Sequence, residues 1–388
     1  MGFKHRARLC LKRWKLALIL LGGLLLLGCT QATTVPRGWS SAVLTEDTIL
    51  VNSMKGELRA LKASDGSRLW SAPLESLKAS GGAFGCAPAS TVVVVYGTPA
   101  IDGGLVYVGG YNGIVYAFDT REPRSEPRWV YPRQGDIGSR IIGGPIVARG
   151  KVYFAAEDGK VYALNAADGF KENNWPVDLK DKVWSTPTID GDTLFVGSFD
   201  KKLYALDVTN GSKKWEFATN GAIVSSAVVA DNTVFFGSFD RHIYAVNAAS
   251  GELVWKFPSV DESEEKPEKW FWTNPVVHNN VVYAANLDGK VYAINAATGD
   301  NLAAFDLGSP ISSSPALVDD LLVVTTESGT VYSIDTTTDQ QRLLVALNEK
   351  VYASLTAGSG VVYIRTVPGN FYGVDVRSGA RQTFDIKS

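Results

Sequence analysis

Cysteine and histidine are scarce in this chain of 388 residues, which contains only three of each. Cys10 and Cys29 belong to the N-terminal leader and its end, so Cys86 would be the sole unmodified cysteine after processing. No intrachain disulfide could then form, and the fold would be stabilised by burial of apolar groups. We expect Cys86 to fill space in the core, with a reactive thiol as the alternative.

The shortage of histidine limits the possible chemistry. Only His242 and His278 lie beyond the leader, and together they could contribute no more than part of a zinc site. Nucleophilic catalysis that depends on histidine has the same lack of candidates, and no G-x-S-x-G motif occurs. We expect His242 to face solvent, because lysine or threonine takes its place in other copies of the repeat described below.

An excess of basic charge is also absent once the leader is removed. Residues 1–28 contain six basic residues and no acid, which leaves 32 basic against 40 acidic residues and a formal charge of −8. A chain of this charge repels phosphate backbones, so the sequence argues against nucleic acid as a partner. Anionic lipid headgroups would repel it as well, so attachment to a membrane would require acyl chains.

The leader itself has the pattern of an export signal. Its basic start precedes the apolar run Leu16–Leu27, which would rise only about 18 Å as a helix, too little to span a bilayer. The run continues into "LLGC" at Leu26–Cys29, which resembles the lipobox of bacterial lipoproteins. That resemblance implies cleavage before Cys29 and lipid on Cys29. We therefore expect residues 1–28 to be a signal peptide and residues 29–38 a lipidated linker; an ordinary secretory signal or a short anchor is the alternative.

One phrase recurs along the rest of the chain. Asp158–Gly169 reads "DGKVYALNAADG" and Asp288–Gly299 reads "DGKVYAINAATG". Its core occurs eight times at a spacing of about 40, and the position usually held by tyrosine falls at residues 59, 116, 162, 204, 244, 292, 332 and 372. Each unit reads as four short strands rich in Val, Ile, Tyr, Phe and Trp, separated by turns of Gly, Asn and Asp. Repeats of this length and content are typical of a β-propeller.

The strands are apolar on both faces, as expected for sheets that are each packed between two others. We predict an all-β, eight-bladed β-propeller of four-stranded antiparallel blades over residues 39–388. Seven blades is the alternative, because the first and last copies diverge most from the rest. The Asp-Gly pairs are interpreted as tight turns, since no alternating acidic positions lead into the glycine as in a calcium loop.

The units that end at Trp215 and Trp255 resemble the repeat of the quinoprotein-type (PQQ-like) propellers. The resemblance covers nearly all of the chain beyond the leader, and it implies that one tryptophan in each unit docks against a neighbouring blade. The residues that match this tryptophan are Trp70, Trp129, Trp175, Trp215 and Trp255. Copies six to eight depart from the pattern: Phe305 and Phe384 lie near the same place, and copy seven has the aliphatic sequence "LLVAL".

Two branches share this repeat, and the resemblance implies different functions for them. Quinone-dependent dehydrogenases carry a quinone, a calcium ion, an aspartate base and a vicinal disulfide, but this chain has no adjacent cysteines. BamB-type lipoproteins of the β-barrel assembly machinery are scaffolds without catalysis. We favour the second branch. It implies no catalytic residue, metal or cofactor, a monomeric propeller, and a place on the periplasmic face of an outer membrane or, without one, on the outer face of the cell membrane. A glycan- or peptide-binding surface lipoprotein and a dehydrogenase relative remain alternatives.

Three loops are longer than a propeller requires, namely Leu74–Ser90, Thr120–Arg140 and Pro258–Phe271. Arginine and exposed aromatic residues are enriched where proteins bind one another, although such loops can also be merely solvated. We predict that an envelope protein, such as a subunit that assembles β-barrels, binds where the second loop meets the aromatic end of the third. The candidate contact residues are Arg121, Arg124, Arg128, Arg133, Arg140, Trp270, Phe271 and Trp272.

Overall fold

The described residues form eight sheets of four strands, and each sheet consists of four consecutive strands joined antiparallel. This computed structural model describes residues 38–74, 92–121, 126–259 and 266–387. The prediction of an all-β, eight-bladed propeller is confirmed. The expected signal peptide, Cys29, Cys86 and Arg124 lie outside the described residues. Within the described ranges, no helix has the length and apolar character needed to cross a membrane.

The first four blades share the same order of strands, from a short inner strand to an outer one. Blade one contains β1 (Val43–Leu44), β2 (Thr48–Asn52), β3 (Glu57–Lys62) and β4 (Arg68–Pro73). Blade two contains β5 (Ala100–Asp102), β6 (Leu105–Gly109), β7 (Val115–Asp119) and β8 (Trp129–Tyr131). Blade three contains β9 (Ile146–Ala148), β10 (Lys151–Ala155), β11 (Lys160–Asn165) and β12 (Val177–Asp178). Blade four contains β13 (Thr188–Asp190), β14 (Thr193–Gly197), β15 (Lys202–Asp207) and β16 (Lys213–Ala218).

The last four blades repeat this order. Blade five contains β17 (Val228–Ala230), β18 (Thr233–Gly237), β19 (Ile243–Asn247) and β20 (Leu253–Phe257). Blade six contains β21 (Val276–His278), β22 (Val281–Ala285), β23 (Lys290–Asn295) and β24 (Asn301–Asp306). Blade seven contains β25 (Ala316–Val318), β26 (Leu321–Thr325), β27 (Thr330–Asp335) and β28 (Gln341–Ala346). Blade eight contains β29 (Thr356–Ala357), β30 (Val361–Arg365), β31 (Phe371–Asp375) and β32 (Arg381–Phe384).

Each pair of neighbouring blades encloses an apolar cluster, so the second and third strands of every sheet are covered on both faces. The ring closes where Ile49 and Leu61 of blade one pack with Tyr363 and Phe371 of blade eight. Thr356 Oγ1 also donates to the carbonyl oxygen of Ala42 at 2.9 Å across this junction. The first and last blades therefore meet by packing and side-chain hydrogen bonds, as the other blades do.

Tryptophans on outer strands dock against the turn of the next blade. Trp215 Nε1 donates to the carbonyl oxygen of Ala248 at 3.0 Å. Its ring packs on Gly251, where φ is +74° and a Cβ atom would lie 2.6 Å from the indole. Only glycine fits both the backbone conformation and the space. Trp129 and Trp255 have the same arrangement over Gly169 and Gly299.

Blades one, three and eight vary this arrangement. Trp175 lies against Gly211, but its Nε1 atom has no hydrogen-bond partner among the described residues. Phe384 takes the docking role at the closure of the ring, where it contacts Gly66. Trp70 is only partly buried, and the described residues provide no hydrogen bond for its indole. The sequence position alone therefore did not determine how tightly each aromatic docks.

The aspartate and the tyrosine of the recurring phrase are bonded to each other. Tyr162 Oη donates to Asp158 at 2.6 Å, and the amide of Lys160 donates to the same carboxylate at 3.1 Å. Tyr244 and Tyr292 bond to Asp240 and Asp288 in the same way. The phrase thus closes the hairpin between the second and third strands of a blade.

The expectation that His242 faces solvent is wrong. Its side chain is largely buried, and Nδ1 lies 3.0 Å from the carbonyl oxygen of Asp240. The imidazole ring also lies against Tyr244, with 5.8 Å between the ring centroids. His242 therefore packs against its own hairpin.

Candidate functional site: an aromatic mouth and an arginine edge

The direction of the strands divides the predicted partner surface in two. Hairpins between second and third strands, and the links between blades, lie at one end of each blade, here called the top face. The other turns lie at the opposite end, because neighbouring strands are antiparallel. Arg140 belongs to a link on the top face, whereas Arg121 Nη2 donates to the carbonyl oxygen of Gly103 in the turn between β5 and β6.

On the top face, a central cavity of about 820 Å³ is bordered by aromatic side chains. Together with their ring contacts and one ion pair they form what we call the aromatic mouth. Its members are Trp39, Tyr96, Tyr111, Arg140, Glu157, Trp184, Phe199, Phe239, Trp270, Trp272 and Tyr352. The cavity has the size typical of ligand pockets in proteins.

One wall of the mouth comes from blades eight, one and two. The ring of Trp39 contacts Tyr96 and Tyr352, with centroids 4.5 and 5.6 Å apart. Tyr96 in turn lies 5.1 Å from Tyr111. All three pairs are edge-to-face, a favourable arrangement for aromatic rings, and burial of Tyr96 raises the pKa of its hydroxyl.

The opposite wall comes from blades four, five and six. Phe239 is stacked between Trp270 and Trp272, at centroid distances of 4.8 and 5.7 Å and interplanar angles of 20° and 21°. Trp184 joins this stack through Phe199 at 4.7 Å and Trp272 at 6.1 Å. The rings hold one another in place although Trp270 is 50% exposed.

An ion pair links the two walls on the side of blade three. The guanidinium of Arg140 lies 4.8 Å above the ring of Tyr111 and 3.6 Å from Glu157. Glu157 also accepts a hydrogen bond from Trp184 Nε1 at 2.9 Å. The aromatic border is therefore continuous from blade eight round to blade six, and it is interrupted at blade seven, where Glu327 borders the cavity.

The structure brings together only part of the predicted surface. Arg140, Trp270 and Trp272 all border the cavity. The expectation of an exposed Phe271 is wrong, since it is fully buried in the cluster between blades five and six. It takes a repeat position that is otherwise held by buried aliphatic residues such as Ile223.

Sequence reasoning missed most of the mouth, although a signal for it existed. A small residue that borders the cavity precedes the inner strand of each blade, for example Thr186 in blade four. The residue two positions before this small residue also borders the cavity in every blade. Five of the eight are aromatic, and the full set is Trp39, Tyr96, Ile142, Trp184, Val224, Trp272, Ser312 and Tyr352. Comparison of this one position across the repeats would have found the mouth.

The other described arginines of the second loop lie away from the mouth. Together with Phe170 they form a surface that we call the arginine edge, which consists of Arg121, Arg128, Arg133 and Phe170. Arg121 and Arg128 both reach Asp119, at 3.9 and 3.5 Å. The guanidinium of Arg133 lies 4.3 Å above the exposed ring of Phe170. A shallow groove of about 360 Å³ separates Arg128 from Arg133, so these side chains form one continuous surface.

No group of three or more His, Cys, Asp or Glu side chains within the described ranges is arranged to hold a metal ion. The acidic residues of the repeats are instead engaged in turns. Asp240, for example, is held by His242, Tyr244 and two further groups; burial opposes its ionisation, but these hydrogen bonds lower its pKa to about 2.

The profile of the family described as outer membrane protein assembly factor BamB matches residues 29–172, 172–303 and 287–382. The chain belongs to this family. No curated protein matched the sequence.

Solved structures with the same fold have low sequence identity. BamB from Moraxella catarrhalis shares 18% identity at a TM-score of 0.67, over 85% of this chain and 92% of that one. The computationally designed Ika8 protein shares 14% identity at a TM-score of 0.68, over 90% of this chain and 97% of that one. Sqt1 from Saccharomyces cerevisiae shares 13% identity at a TM-score of 0.68, over 92% of this chain and 97% of that one. Because a designed protein and a yeast protein match as well as BamB does, these likenesses concern the fold alone.

Proposed function

We propose that this protein is a non-enzymatic scaffold of the cell envelope that binds a protein partner during outer-membrane protein assembly. The observation that carries the proposal is the family match, which extends from residue 29 to residue 382. It begins at the cysteine of the lipobox-like sequence, and we propose that lipid on Cys29 anchors the chain to the periplasmic face of the outer membrane. The propeller would act as a monomer.

We assign the partner to the arginine edge rather than to the aromatic mouth. Protein interfaces are broad and their energetic centres favour arginine and aromatic residues, which is what this edge offers on an exposed surface. Arg121 and Arg128 have 70% and 54% of their side-chain surface exposed. Stacking of Arg133 on Phe170 orders both side chains before a partner arrives, which lowers the entropic cost of binding.

The test is in-cell crosslinking followed by affinity capture of the full chain, with variants on and off the edge. We expect capture of one discrete envelope protein, and a loss of at least tenfold in its yield when Arg128→Glu and Arg133→Glu are combined. Arg377→Glu is the matched control, because Arg377 is equally exposed but lies in blade eight, where it pairs with Asp319 at 3.4 Å. Equal loss in the control, or no discrete partner, would refute the assignment.

The lipid anchor requires a separate measurement. We expect Cys29→Ser to move the protein from the membrane fraction to the soluble fraction, because no other part of the acidic chain is proposed to hold it there. Mass spectrometry of the mature N-terminus should find acyl chains on Cys29 in the unmodified sequence. An unlipidated Cys29 in membrane-bound protein would contradict the proposed anchor while leaving partner binding untouched.

A further inference from the structure

The floor of the aromatic mouth is a chain of hydrogen bonds that runs from blade to blade. The amide of Gly144 donates to Thr186 Oγ1 at 2.8 Å, and the amide of Thr186 donates to Ser226 Oγ at 3.0 Å. In the same way, the amide of Ser226 donates to Asn274 Oδ1 at 2.7 Å, and the backbone amide of Asn274 donates to Ser314 Oγ at 3.0 Å. In each link a side-chain oxygen of one blade satisfies the backbone amide of the blade before it.

This arrangement leaves donors directed at the cavity. The hydroxyl groups of Thr186, Ser226 and Ser314 each accept one of these bonds, and the described residues contain no acceptor for their own protons. The side-chain amide of Asn274 donates to none of the described residues either. All four side chains border the cavity, so the floor is suited to a ligand rich in acceptor oxygens.

The walls add flat aromatic faces above this floor. Trp270 and Trp272 are fixed by the stack on Phe239, and Trp39 is fixed between Tyr96 and Tyr352. The negative face of an aromatic ring attracts the weakly positive C–H groups on the face of a sugar ring. Aromatic faces combined with hydroxyl and amide donors are what a carbohydrate requires, because each sugar has one apolar face and a rim of oxygens.

A polypeptide fits this floor less well. Peptides that bind beside a strand pair with its free backbone amides. Here the amides of Gly144, Thr186, Ser226 and Asn274 are already bonded to neighbouring blades. The side-chain donors that remain suit separate oxygen atoms rather than an extended main chain.

We propose that the aromatic mouth binds the end of an oligosaccharide, with one or more sugar rings stacked on the tryptophans and their oxygens bonded to the floor. The cavity of about 820 Å³ lies within the range of pockets that enclose ligands of a few rings. This binding site is separate from the arginine edge, so it neither depends on the protein partner nor competes for the same residues.

The test begins with the full chain on an array of linear oligosaccharides of neutral and acetamido sugars, and the best ligand is then titrated by calorimetry. We expect saturable binding that Trp270→Ala weakens at least tenfold and Trp270→Phe weakens less, since phenylalanine retains an aromatic face. Ser226→Ala should weaken binding severalfold by removal of one donor. Leu302→Ala is the control, because Leu302 is 55% exposed on β24, outside the mouth, and its loss should change nothing.

Two outcomes would overturn the proposal. The first is an array without any saturable ligand, including the case in which a peptide library binds the mouth instead. The second is glycan binding that survives both Trp270→Ala and Ser226→Ala with circular dichroism unchanged, since the ligand would then bind elsewhere. Neither outcome affects partner capture by the arginine edge, so the two proposals fail independently.

Discussion

Removal of one docking tryptophan should cost more stability than removal of another that has the same place in the repeat. Trp255 is 8% exposed, and its Nε1 atom donates to the carbonyl oxygen of Ala296 at 2.9 Å. Its ring also fills the space above Gly299, where a Cβ atom would lie 2.8 Å away. A tryptophan buries roughly 150–250 Å², which at about 25 cal/mol per Å² gives roughly 4–6 kcal/mol.

Measured tryptophan-to-alanine costs of about 3–5 kcal/mol agree with that estimate, so we expect Trp255→Ala to lower the free energy of unfolding by about 4 kcal/mol. Trp70 provides the comparison. It is only partly buried, and its indole has no hydrogen bond among the described residues. Its somewhat smaller burial and the absence of a hydrogen bond to lose, which is worth about 1 kcal/mol, predict about 3 kcal/mol for Trp70→Ala.

The assay is urea unfolding followed by far-ultraviolet circular dichroism, with both variants and the unmodified chain under identical conditions. Native spectra of the two variants should match before urea is added, which shows that the propeller has formed. Equal losses for Trp70→Ala and Trp255→Ala would refute the reasoning. Stability would then follow the position in the repeat rather than the contacts of each ring.

Three further predictions concern single side chains. Asp240→Asn should cost about 1–2 kcal/mol at pH 7 after allowance for solvent screening. The folded pKa of Asp240 is lowered from 3.8 to about 2, so the carboxylate stabilises the fold above about pH 4. Urea unfolding should show the difference vanish as the pH falls through 2, and a constant difference would contradict it. Arg365 is buried at the closure of the ring, with hydrogen bonds to Ser40 but no carboxylate within ion-pair distance among the described residues, and burial lowers its pKa to about 10. Arg365→Met should therefore raise the free energy of unfolding by about 1 kcal/mol, and a lower urea midpoint would show that the cation is stabilising. Glu157→Gln should loosen the link between the walls of the mouth, seen as a shifted tryptophan emission without loss of stability beyond about 1 kcal/mol; unchanged emission would mean that the ion pair does not order Trp184.

The fold was predictable because the repeat states it many times. The alternation of apolar strands and Asn- or Asp-containing turns, and the spacing of about 40, were enough for the number and composition of the blades. The docking of Trp129, Trp215 and Trp255 could also be anticipated, since each is followed one blade later by a glycine in a turn. Local patterns were sufficient for these features because each contact lies between units next to each other in the sequence.

The candidate site was less predictable for a physical reason. The mouth gathers side chains from all round the ring, so Trp39 and Tyr352 touch although more than 300 residues separate them. The prediction from loop lengths instead assigned Arg121 and Trp270 to one surface. The antiparallel strands place these two residues at opposite ends of their blades. Phe271 was predicted to lie on the surface because it belongs to a run of three aromatic residues, but its position in the repeat is a buried one.

The central claim is that the exposed arginine edge binds the protein partner and that the concave aromatic mouth does not. A photo-crosslinking amino acid placed at position 128 or at position 270 of the full chain tests it directly in living cells. The account predicts a discrete protein adduct from position 128 and none from position 270. A protein adduct from position 270 alone would contradict the claim and assign the partner to the aromatic mouth.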